Sequence, residues 1–104
     1  MRKLVLGFTF LLALAMTAMA GEWTGYISDA MCANSKGAKV VASPSHAACA
    51  KGCIKRGSPA VLVTEDGKIY KIANQSKVVP HAGEKVTLVG TMKGDSITVH
   101  EVKS

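Results

Sequence analysis

The sequence predicts a mainly β protein: a small five-stranded OB-like barrel with a Cys/His helix inserted after strand 1. Three observations predict it. Five short segments carry strand-like apolar patterning and are bounded by Gly, Asp and Pro turn signals. One segment, residues 44–56, has both the start and the stop residues of a helix. Five short strands also need a sheet that curls on itself, and a barrel of the OB type does this with five.

The elements follow in order. Residues 1–20 read as a secretory signal peptide. Arg2 and Lys3 open it, an almost unbroken apolar run follows to Met16, and Ala18, Met19 and Ala20 fit the small-x-small cleavage pattern. The apolar run is short for a membrane span. The expected mature domain is then residues 21–104, soluble after cleavage and without stable membrane insertion, periplasmic or extracellular. Residues 22–28 alternate as a strand, with Trp23, Gly25 and Ile27 on one face and Thr24, Tyr26 and Ser28 on the other. Gly25 at the centre marks a bulge or a close backbone approach. Trp23 is expected in the core and Tyr26 on the surface. Residues 33–43 read as a loop, punctuated by Asn34, Ser35, Gly37 and Ser43.

The helix over 44–56 has Ser43 or Ser45 to cap it and Pro44 in its first turn. Lys55 and Arg56 favour its C-terminal end, Gly57 stops it and Pro59 cannot extend it. Residues 60–64 form a short buried strand. Glu65, Asp66 and Gly67 make a hairpin turn, and residues 68–72 are the partner strand. Asn74 can cap a short helical turn before Pro80, between strands three and four, where the OB topology has its own helix. Residues 85–92 are a strand with Val86, Leu88, Gly90 and Met92 on one face. A turn at Lys93, Gly94 and Asp95 leads to a last strand over 96–102.

Charge narrows the function classes. The chain has thirteen basic and seven acidic residues. Without Arg2 and Lys3 the domain keeps eleven basic residues, a net charge of +4. Apart from Lys55 and Arg56 the cations are scattered, as on a solvated face, so nucleic acid is not the expected partner. An unknown protein or a small ligand is. There is no Gly-rich phosphate loop, no Ser/His/Asp arrangement and no haem-attachment motif. No catalytic set is predicted, and the protein reads as a non-enzymatic binding module.

The chemistry gathers in residues 29–53. His46, Cys49 and Cys53 are spaced i, i+3, i+7. At about 100° per residue they share one stripe of the helix, beside Ala47, Ala50 and Ile54. Cys32 follows the first strand and the connection can bring it against that stripe. Three readings stay open. Cys32, His46, Cys49 and Cys53 suit zinc, or copper(I), as a Cys3His set. Alternatively Cys32 pairs with Cys49 or Cys53, closing a loop of about twenty residues and stabilising by about 3 kcal/mol. The third cysteine is then spare and can link two copies. Or the thiols exchange, with His46 one turn away as activator. A Cys49–Cys53 bridge fits helix geometry poorly. Asp29 is expected to cap the turn that contains Cys32 or to support His46. His81 and His100 are expected at the surface.

The stretch from Trp23 to Cys32, the His46-x-x-Cys49-x-x-x-Cys53 pattern, and residues 82–90 with Ile97 to Val99 resemble a group of small exported bacterial proteins with an OB-like domain. The resemblance implies export and this fold, and no activity.

Overall fold

Strand β1 (Met19–Asp29) is shared by both halves of the sheet. In this computed structural model, which describes residues 19–104, Met19 to Tyr26 pair antiparallel with β4 (Lys85–Lys93). Tyr26 to Asp29 pair with β2 (Ala60–Val63). A tight turn joins β2 to β3 (Ile69–Ile72), and another joins β4 to β5 (Ser96–Lys103). The ring closes where β3 and β5 run parallel through two pairs, Lys71 with Ser96 and Ile72 with Ile97. The strand order β1-β2-β3-β5-β4 is a closed barrel, as predicted, and is consistent with a small OB-like fold. Of the expected leader, residues 1–18 lie outside the described residues. Met19 and Ala20 extend β1 opposite Met92 and Thr91.

Alternation puts Ile27, Leu62, Val86, Leu88, Ile97 and Val99 inside the barrel. Gly25 is the close approach that its position suggested: a Cβ there would collide with the Val63 carbonyl oxygen. Gly67 and Gly94 take positive φ in the two hairpin turns, a conformation open to glycine at no steric cost.

Most of residues 33–43 are helical rather than a loop; only Gly37, Ala42 and Ser43 lie outside helices. Helix α1 (Ala30–Lys36) starts at the Asp29 cap and stops at Gly37 (φ 95°), whose N–H bonds the Ala33 carbonyl. Helix α2 (Ala38–Val41) follows directly. The cap and the glycine outweigh the weak helix preference of Asn34 and Ser35. Together α1 and α2 cover the outside of the barrel. Ala33, Ala38, Val41 and Ala42 pack there on Tyr26, Val61 and Val63, a second apolar cluster. Tyr26 is therefore buried, not a surface contact. It does point away from the barrel interior, but the helices lie over it.

The predicted helix over 44–56 is a 3-10 turn (Pro44–His46) leading into α3 (Ala47–Lys55). Neither serine caps it: the Ser43 and Ser45 hydroxyls bond each other at 2.9 Å. Gly57 stops it with φ 106°. Two 3-10 turns, Gln75–Lys77 and Val79–His81, stand between β3 and β4. The Asn74 side chain does not cap the first of them. Its Nδ2 donates to the Val99 carbonyl at 2.7 Å and its Oδ1 accepts from the Val99 N–H at 2.9 Å. In β5 the register shifts opposite Val89 and Gly90, leaving His100 unpaired between Val99 and Glu101. This bulge returns Val102 to the core side, so His100 does not share its face. His100 is exposed, as expected. No described helix is long and apolar enough to cross a membrane.

Candidate metal centre

The centre is assembled where β1 ends. Asp29 is the last residue of β1 and is fully buried. The Cys32 backbone N–H donates to its Oδ2 at 2.9 Å, the N-cap bond of α1. That cap fixes Cys32 in the first turn of α1. His46 closes the 3-10 turn before α3 and brings its Nε2 to 3.3 Å from Asp29 Oδ1. Its side chain is only 10 % exposed. The Ser28 hydroxyl, also buried, donates weakly to the same oxygen at 3.5 Å. Asp29 thus plays both of its expected parts, cap for the turn and support for the imidazole.

One donor atom from each of Asp29, Cys32 and His46 falls within 4.8 Å of the other two, so the three form a group that could hold a metal ion. Zinc bound at about 2.0–2.3 Å from sulfur, nitrogen and oxygen ligands needs such a convergence, with small closing movements. Of the sequence-predicted ligands, the structure brings Cys32 and His46 together and adds the carboxylate. Cys49 and Cys53 are not within the 4.8 Å group. Cys49 is exposed in the first turn of α3, and Cys53, half-buried one turn on, accepts from Arg56 Nη2 at 3.7 Å. Both are near enough to Cys32 to add to the upward shift of its pKa, after Asp29 and burial. His81 is engaged elsewhere, its Nδ1 3.0 Å from Glu84 Oε1. The disulfide expected from Cys32 to Cys49 or Cys53 is not formed: all three are free thiols.

The electrostatics follow from the shared carboxylate. Burial alone would raise the Asp29 pKa, but the Cys32 amide, the Cys32 thiol and the His46 ring stabilise its anion and hold it below the ordinary value. The Cys32 thiol is pushed up to about 11. Its hydrogen bond to Asp29 is the main cause, followed by burial and by the negative charges of Asp29, Cys53 and Cys49. The group is a buried anion with a thiol proton and an imidazole turned to it. A divalent cation can replace that proton as the shared positive partner, since a thiolate is what a metal binds.

Sequence reasoning weighed Asp29 as a support and missed it as a donor in the group. The signal was its place, three residues before Cys32, which makes it cap and neighbour at once. No protein-family model, curated protein or solved structure matches the chain.

Proposed function

We propose that this protein is a small non-enzymatic metal-binding module, with zinc or copper(I) held at Asp29, Cys32 and His46. The observation that carries the reading is the convergence of three donors of different chemistry around one buried carboxylate. Asp29 Oδ2 keeps its bond to the Cys32 amide while Oδ1 serves the ion. Cys53 supplies a fourth donor from α3, so that three of the four Cys3His residues suggested by the spacing serve the ion and the exposed Cys49 is left over. Sulfur and imidazole together favour zinc or copper over magnesium or calcium, which take oxygen ligands. Export belongs to the same reading, supported by the leader-like residues 1–20. An exposed Cys49 is then the thiol that links two copies if any does.

The test is titration of the reduced protein with zinc and with copper(I) against a chromophoric chelator. One equivalent binds. Cys32→Ala and His46→Ala each abolish that binding, and Asp29→Asn, which removes an anionic donor, weakens it by more than about a hundredfold, the upper end for a residue that only supports a ligand. Cys53→Ala weakens it more than Cys49→Ala. Absence of stoichiometric binding, or an unchanged affinity in His46→Ala, rules the reading out.

A second reading rests on Cys53, which lies in an open cleft of about 550 Å³ beside Arg56. There its thiol can attack a partner's disulfide and Cys32 can resolve the mixed disulfide. The partner is reduced by two electrons and an internal Cys32–Cys53 bridge is left. That direction requires the Cys32–Cys53 couple to have a potential below that of the partner's disulfide, yet above those of structural disulfides so that the bridge can be reduced again.

A further inference from the structure

We infer that the groove between α3 and the turn over residues 79–82 binds an anionic amphiphile: one aliphatic chain ending in a carboxylate or sulfate. This site is independent of the metal centre. None of Asp29, Cys32 and His46 lines the groove.

At one end of the groove α3 and the turn are in close contact. Gly83 sits so close to Ala47 that a Cβ on it would lie 2.9 Å from the Ala47 carbonyl oxygen. The Gly83 N–H also bonds the Ile27 carbonyl at 2.7 Å, which fixes the turn to β1. One to two turns further along α3 the surfaces part. The opening measures about 400 Å³ and is lined by Lys51, Gly52, Ile54, Lys55, Val79, Pro80 and Ala82. That is the size of a small-ligand pocket. Ile54 and Ala82 are buried at its base, while Val79 keeps 41 % of its surface exposed to it and to solvent.

The charge complements the apolar lining. Lys51 and Lys55 stand at i and i+4, on one side of the helix, where two like charges oppose helix formation unless an anion lies between them. Neither is in an ion pair among the described residues. The acid that follows the turn, Glu84, is already held by His81 at 3.0 Å. Lys55, in the last turn, complements the helix dipole. Lys51 has no such role. Two unpaired ammonium groups over an apolar trough match an anionic head and a hydrocarbon tail. Lysine stems can also lie along the tail.

The test uses sodium decanoate and sodium decyl sulfate, both below micelle-forming concentration, followed by amide shifts in NMR spectra of the protein. Saturable one-to-one binding is expected, with shifts centred on Lys51, Lys55, Val79 and Ala82. The double variant Lys51→Gln, Lys55→Gln should weaken both ligands at least tenfold, and uncharged decanol should bind the unaltered protein at least tenfold more weakly than decanoate. Val79→Asp should also weaken binding. Decanol binding as well as decanoate, shifts centred elsewhere, or an unaffected lysine variant would overturn the site. Binding to phosphatidylglycerol vesicles but not to monomeric decanoate would also overturn it, since the lysines would then be a membrane-surface patch.

Discussion

Asp29 serves three partners with two oxygens. Fully buried, it caps α1 through the Cys32 amide, meets His46 and accepts from the Ser28 hydroxyl. Loss of an N-cap of this kind costs about 0.5–2 kcal/mol, and the Cys32 amide and His46 ring lose their acceptor with it. Asp29→Ala is therefore expected to lower the unfolding free energy by about 2 kcal/mol in urea denaturation. Asp29→Asn, which keeps an acceptor for the amide, should lose less than half as much. An alanine variant within 0.5 kcal/mol of the unaltered protein would show that the cap is not structural. Much of this was legible. The position of Asp29 three before Cys32 marks a cap, and the i, i+3, i+7 spacing marks a Cys/His stripe. What the chain does not announce is that the same carboxylate reaches both Cys32 and His46. That depends on how β1 presents its last residue to the 3-10 turn that leads into α3, with His46 seventeen residues away.

Among the elements, the β2–β3 hairpin was the most legible and the covering helices the least. Asp66 and Gly67 define the turn by local chemistry alone, and the Thr64 hydroxyl completes it by donating to Asp66 and accepting from the Lys68 N–H at 2.9 Å. Helices α1 and α2 were hidden because Asn34, Ser35 and Gly37 are ordinary loop residues. Only the distance from the Asp29 cap to the Gly37 stop betrays a helix. The same distinction between local and distant causes explains why Tyr26 was misplaced. The hairpin has a titratable marker. The Thr64 hydroxyl, opposed by slight burial and helped by Lys68 and Lys39, holds the Asp66 carboxyl below its ordinary value. A depressed carboxyl contributes stability above its unfolded-state pKa and loses it as pH falls through the folded one. Thr64→Val should therefore move the Asp66 titration upward in carboxyl-carbon NMR. It should also shift acid unfolding to slightly higher pH. An unmoved Asp66 would mean that the hydroxyl does not hold it.

Across the whole molecule, closure depends on a short seam. The parallel β3–β5 contact has two residue pairs; the Asn74 amide reinforces it, and the Gln75 amide ties the end of β3 to β2. Asn74 pairs with both backbone groups of Val99, as a neighbouring strand would. Gln75 accepts from the Ala60 N–H at 2.8 Å and donates to the Ala60 and Ile72 carbonyls at 2.9 and 3.0 Å. Removing one partner of such a part-buried bond leaves the other unsatisfied, at up to about 1–3 kcal/mol. Asn74→Ala and Gln75→Ala are each expected to destabilise within that range. Amide exchange at Val99 should rise in the first and at Ala60 in the second. Changes below 0.5 kcal/mol in both would place closure entirely in the strands. The barrel itself could be read from strand count and turns, whereas these clamps could not, because Asn74 and Gln75 look like surface polar residues until the fold brings Val99 and Ala60 beside them.

Where the end of β1 pairs with β2, residues 26–29 and 60–63 are buried on both faces of the sheet. Tyr26, Val61 and Val63 turn outward and are kept from solvent only by Ala33, Ala38, Val41 and Ala42. Residues 30–56 are thus not a detachable ornament that another barrel could simply receive. A recipient would need an aromatic ring and two valines waiting on its outer wall, and a donor stripped of the segment would be left with an adhesive flank that invites self-association.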